Sequence, residues 1–215
     1  VRESGDIWLG LQVQHNFGDP GRDLGAVLQK ALEAEPGSGI VGLTEAPGEG
    51  PRFTDLVADE PLEITVHDGF GYWVDDIKDL GADMAAALEQ ANGAVNPTAK
   101  LASVEAAYWT RIGAKEHLRW VMPEPEEQLL SGLARLHARG QDVIAEGARL
   151  VGMFRAHGLL APVWDLPVGT GAKAIDMPAQ KFRTALNKAM KLKSPLNAEQ
   201  RSARAGLLNR QVTIR

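Results

Sequence analysis

The stretch "SVEAAYWTRIGAKEHLRWVMPEPEEQLLSGLARLHARG", Ser103–Gly140, sets the reading of the whole chain. Its first part alternates bulky and polar residues on either side of "GAKE", as two strands of a hairpin do. Ser103–Ala107 could instead begin as a short helical turn. In the second part Leu129, Leu130, Leu133 and Leu136 share one helical face, and Gly140 supplies the stop. Pro125 suits the first position of that helix, and Glu126 and Glu127 fall in its first turn, where negative charge meets the positive helix end. The unit therefore reads strand–strand–helix.

Working outward, the same order recurs loosely. "ARLVGMFRAHGLLAPVWDLP" predicts two strands joined at His157-Gly158, then a loop "VGTGAKAIDM" and a helix starting at Pro178. A short helix opens at Asn197, and "RQVTIR" reads as a terminal strand. Towards the start, "DIWLGLQVQ" has strand alternation, followed by a helix whose apolar face holds Leu24, Val27, Leu28, Ala31 and Leu32. Gly37–Pro51 reads as a flexible loop. "RFTDLVA" and "LEITVHDGFGYWV" are further strand candidates, and an alanine-rich helix is expected over Lys78–Asn92. Trp8, Trp73, Trp120 and Trp164 would each lie in the last strand before a helix. The expected fold is α+β: mainly antiparallel sheet flanked by helices, from loosely repeated strand–strand–helix units. It forms one domain over residues 1–215, with pseudo-symmetric halves at 1–96 and 97–215 as a variant.

The totals narrow the function classes. A net charge of −5 over 215 residues argues against nucleic-acid binding through bulk positive charge. Lys173–Arg215 nevertheless holds ten basic residues against Asp176 and Glu199, either a solvated face or a docking surface for an acidic partner. The absence of cysteine excludes disulfides, thiol nucleophiles and cysteine-held zinc within these residues. No apolar run reaches the roughly 20 residues that span a bilayer, and no signal peptide is visible. The first residue, Val1, already leads into strand-like sequence, so the chain is expected to begin inside a longer protein.

Catalytic motifs are sparse. The five histidines form no HExxH or HxH pattern, and there is no GxSxG elbow. "GTGAK" at Gly169–Lys173 resembles a phosphate-binding loop but lacks its full spacing, and Ala174 takes the place of the magnesium-reaching hydroxyl. Two sets of residues stand out. Arg155 and His157 would project from one face of a strand, with Trp164 and Asp165 on the return strand and Arg119 and Trp120 in the neighbouring unit. They could form a structural network, or a surface for a peptide or small anion, since arginine forks match carboxylates and tryptophan offers contact area. The enzymatic alternative gathers His157, Asp165, Arg119 and Glu124 in one pocket.

Across "WLGLQ" to "RQVTI", through "AAYWTRI", "HLRWVMPEPEEQLLSGLARLHARG", "EGARLVGMFRAHGLLAPVWDLPVG" and "GLLNRQVT", the chain resembles an uncharacterised actinobacterial family, a conserved domain of unknown function. That resemblance implies a cytoplasmic protein whose members begin with a SEC-C-type motif, three cysteines and a histidine binding one zinc. The motif is similar to the zinc tail of the preprotein-translocase ATPase, which docks ribosomes and the export chaperone. No zinc ligand transfers to any residue here, because the chain has no cysteine, so no cofactor is expected in it. The resulting expectation is a non-enzymatic binding or adaptor domain with a protein partner, no membrane contact, and an oligomeric state left open.

Overall fold

The computed structural model describes residues 1–10, 17–74, 81–156 and 158–213. Two units divide the chain, Val1–Ile64 and Thr65–Ile214. In the first, helix α1 (Pro20–Leu32) is opened by the Asp19 side chain, which accepts the Arg22 N–H, with Pro20 in the first turn. Gly25, Leu28 and Ala31 form its buried stripe. Gly25 permits close packing, since a Cβ there would lie 2.4 Å from the Pro51 carbonyl oxygen. The fork of Arg52 grips both Asp19 oxygens at 2.7 Å. That contact holds the Asp19 carboxyl below the ordinary aspartate range. Helix α2 (Phe53–Leu56) follows at once.

The second unit begins with a 3₁₀ turn at Gly71–Trp73 and helix α3 (Ala82–Gly93). Six strands then build one sheet: β1 (Thr98–Lys100), β2 (Ala107–Ile112), β3 (Lys115–Trp120), β4 (Arg149–Ala156), β5 (Leu159–Leu166) and β6 (Gln211–Thr213). Their order is β1-β2-β3-β5-β4-β6. Every pairing is antiparallel except β4 with β6, which is parallel. The hairpin β2–β3 closes in two residues because Gly113 adopts φ 59°, a left-handed conformation suited to glycine. Helix α4 (Glu126–His137) follows β3, and helices α5 (Gly171–Met190) and α6 (Ala198–Leu208) follow β5. The fold is thus α+β, as the alternation and helical faces predict.

Alternation places Leu118 and Trp120 of β3 and Leu160, Trp164 and Leu166 of β5 on one sheet face. There they meet Leu129, Leu130, Leu133 and Leu136 of α4 and Ile175, Phe182 and Leu186 of α5. Trp120, Trp164 and Phe182 form an aromatic cluster with centroids 5.3–6.4 Å apart. At Gly132 a Cβ would lie 2.5 Å from Met190 Cγ, so α4 and α5 approach closely there.

Several sequence expectations need correction. Residues 6–10 are not strand, and the rest of "DIWLGLQVQ" lies outside the described residues. "RFTDLVA" forms α2, and "LEITVHDGFGYWV" forms coil with a 3₁₀ turn. An alternating segment becomes a strand only when another strand pairs with it. Among the described residues neither segment has such a partner, and Leu62 is left 84% exposed. Trp8 and Trp73 accordingly lie outside strands. The alanine-rich helix starts at Ala82, and residues 78–80 of its expected span are outside the described residues. Helix α5 starts seven residues before Pro178, and Pro125 precedes α4 as its N-cap rather than opening it.

Candidate functional site

The glutamates of "PEPEE" each meet an arginine from a different element. Glu124 pairs with Arg183 of α5, and Glu126 with Arg155 of β4. Glu127 accepts from Arg204 of α6 at 2.6 Å. The acidic first turn therefore clasps three elements to the start of α4, in addition to meeting its dipole. The pairs differ in burial. Glu124 and Arg183 are half-buried, and one atom of each, Glu124 Oε2 and Arg183 Nη1, is enclosed without a hydrogen-bond partner. Glu127 is 82% exposed. Glu124→Ala should therefore destabilise the protein by about 2–3 kcal/mol, by stranding a poorly solvated guanidinium. Glu127→Ala should change stability by about 0–1 kcal/mol, as for a surface pair. Urea unfolding of the two variants measures the difference, and equal losses would count against the clasp.

A second construction explains the phosphate-loop-like "GTGAK". Glu116 of β3 is only 5% exposed and points at the start of α5. Its Oε1 accepts the Gly169 N–H at 2.6 Å, and its Oε2 accepts the Gly171 N–H at 2.8 Å and the Trp109 indole N–H at 2.7 Å. The loop does present amides to an anion, as such loops do, and the anion is the protein's own carboxylate. Burial alone would raise the Glu116 pKa. The Gly171 amide, the Trp109 indole, the Gly169 amide and the charge of Arg111 outweigh it and hold the carboxyl below its ordinary value. On the next turn Asp176 accepts the N–H groups of Ser103 and Ala102, each at 2.9 Å. The Ser103 amide is the main reason that the Asp176 carboxyl also lies below its ordinary value. These ties account for a helix that continues through Pro178: tertiary contacts fix the turns before the proline.

A further set of polar side chains lies on the sheet face that α4 and α5 do not cover. The register sets Thr98, Thr110, His117, Asp165 and Arg149 in a row across β1, β2, β3, β5 and β4. His117 Nδ1 lies 2.9 Å from Asp165 Oδ1, and the Thr98 hydroxyl donates to Thr110 Oγ1 at 3.2 Å. The adjacent row holds Lys100, Tyr108, Arg119 and Val163. The exposed Arg119 guanidinium sits 6.0 Å from the centroid of the Phe154 ring.

The sequence-selected residues are therefore divided. Arg119 and Asp165 share the uncovered face. Trp120 and Trp164, 2% and 0% exposed, belong to the core on the other side. Arg155 is committed to Glu126, and the partner of Asp165 is His117 rather than an arginine. Glu124 engages α5, so it does not join Asp165 and Arg119 in one pocket. His157 lies outside the described residues. Sequence reasoning missed His117, Tyr108 and Phe154. Their signal was register: each sits one position from a core residue, His117 beside Leu118, Tyr108 beside Ala107 and Phe154 beside Met153, and so on the alternate face. Among the described residues no three histidine, aspartate or glutamate side chains are grouped to hold a metal ion. No helix among those residues is long and apolar enough to cross a membrane.

These features define an α+β domain in which helices cover one side of a largely antiparallel sheet and the other side carries a cationic and aromatic surface. The chain belongs to the family of unknown function DUF5926, whose model matches residues 1–215. No curated protein and no solved structure matches it.

Proposed function

We propose that this chain is a binding domain, an adaptor rather than an enzyme, that takes a peptide segment of a protein partner on the sheet face centred on Arg119. The observation that carries this reading is the exposed Arg119 guanidinium beside Phe154, with Tyr108 and Lys100 in the same row. An arginine fork selects a carboxylate, and neighbouring aromatic rings give an apolar side chain something to pack on. Division of Glu124 from Asp165 and Arg119 supports binding over acid–base chemistry, which needs its groups around one reacting atom. The wider setting belongs to the same proposal. It is a cytoplasmic actinobacterial protein joined to ribosome or export machinery through an N-terminal SEC-C-type motif that would carry the zinc.

The test is photo-crosslinking with benzoylphenylalanine placed at Tyr108, the strand partner of Arg119, and, as a control, at Ser202 of α6. A protein adduct specific to position 108 is expected. The same adducts at both positions, or crosslinks only within the chain, would sink the reading. Arg119→Ala should change stability by no more than about 0.5 kcal/mol, as exposed positions do, while removing the partner.

A further inference from the structure

The basic C-terminal segment treats most of its arginines and its lysines differently. Three of its arginines turn inward or along the surface to defined acceptors: Arg183 to Glu124, Arg204 to Glu127, and Arg201 to the Leu196 carbonyl at 2.5 Å, while Arg210 is exposed. Its lysines take no such partner. Lys173, Lys181, Lys188, Lys191 and Lys193 are all exposed, and among the described residues none of them enters an ion pair. At ~100° per residue, Lys173, Lys181 and Lys188 of α5 and Lys191 at its C-cap fall within an arc of about 80°. That arc lies opposite the buried stripe of Ile175, Ala179, Phe182, Leu186 and Ala189. Met177, 57% exposed, sits within the lysine stripe, and so does Thr184. The one acidic residue of the helix, Asp176, is occupied by Ala102 and Ser103. From Lys173 to Lys191 the stripe runs about 27 Å at 1.5 Å per residue.

We infer that this face of α5 is a second docking surface, for an acidic, extended protein segment of about eight residues at ~3.3 Å each. Lysine, a mobile point charge, suits a run of carboxylates without demanding bidentate geometry. Exposed Met177 offers an adaptable apolar contact between the charges. Nucleic acid fits less well. The stripe has no aromatic residue on which a base could stack. Charge along the chain also opposes a long polyanion: residues 97–215 carry 18 basic and 10 acidic residues, net +8, but residues 1–96 carry 5 and 18, net −13. A short acidic segment can lie along α5 alone. The inference stands apart from the Arg119 face, since it concerns a different element and a different set of cations.

The experiment is fluorescence anisotropy of the whole 215-residue chain with a fluorescein-labelled octaglutamate peptide, at about physiological ionic strength, where the screening length is near 8 Å. A variant with Lys173, Lys181, Lys188 and Lys191 changed to glutamate should bind at least about tenfold more weakly. A control with Arg22, Lys30, Arg139 and Arg210 changed to glutamate has the same net charge and should lose less than about twofold, because the contact is local. Circular dichroism melting confirms that both variants fold. Three outcomes overturn the proposal: no binding by the unmodified chain, equal loss in both variants, or tighter binding of an eight-nucleotide single-stranded RNA than of the peptide. Binding at Arg119 is untouched by the α5 substitutions, so a failure here leaves the crosslinking result to stand or fall separately.

Discussion

Trp164→Ala should lower the free energy of unfolding by about 3–5 kcal/mol, the range for removing a buried large aromatic side chain. The residue is wholly enclosed. Its ring meets Phe182 edge-on at 5.3 Å and lies 6.4 Å from Trp120, and its indole N–H donates to the Asp142 carbonyl at 2.7 Å. Truncation therefore opens a cavity between sheet and helices and leaves a buried carbonyl without its donor. Guanidinium unfolding, with the slope checked against the unmodified protein, measures the loss. A loss below about 1 kcal/mol would contradict the packing and return the indole to consideration as a contact residue. The same reasoning separates the two kinds of residue that look alike in the sequence. "RW" at Arg119-Trp120 consists of one surface residue and one core residue, because strand neighbours face opposite ways.

That alternation explains how far the sequence could be read. Over the two hairpins and at α6 it matched the structure closely. Both hairpins are closed by a left-handed glycine, Gly113 and Gly158. Asn197 opens α6 by accepting the Gln200 N–H, while the Gln200 side chain accepts the Asn197 N–H. Such signals are local, and local signals suffice where a strand meets its partner a few residues later. Residues 62–66 carry the same alternation without a partner among the described residues, so the pattern there records a capacity and not a pairing. The site was less legible than the fold. Arg183 and Arg204 lie 59 and 77 residues from the glutamates that they hold. No periodicity spans such distances. Only the difference in chemistry between arginine and lysine hints which cations are structural, and position in a basic run conceals it. The start of α5 was hidden for a related reason. Gly169, Thr170, Gly171 and Pro178 are loop residues by propensity, and a carboxylate from another strand overrides them.

That carboxylate gives the second large expectation. Glu116→Ala should cost about 3–5 kcal/mol, since three donors, the Gly169 and Gly171 amides and the Trp109 indole, lose one shared, charged and buried acceptor. Glu116→Gln should cost about 2–3 kcal/mol, because an amide retains one oxygen but turns an N–H₂ towards donors. The pH dependence has a definite sign. The folded state holds the Glu116 pKa below its ordinary value of 4.5. The unfolded chain therefore takes up the proton first as pH falls, and protonation favours unfolding. The stability gap between the unmodified protein and E116Q should be full above the ordinary value, begin to narrow there, and close as pH falls through the lower folded value. Asp19 and Asp176 are shifted in the same direction and contribute to acid unfolding of both proteins, so the comparison with E116Q isolates Glu116. A gap that stays constant through this acid range would mean that charge on Glu116 does not hold the loop. A gap that closes as described would establish that "GTGAK" is an anion-binding turn already filled from within, and would leave α5 anchored at its start by β3, with its lysines facing outward.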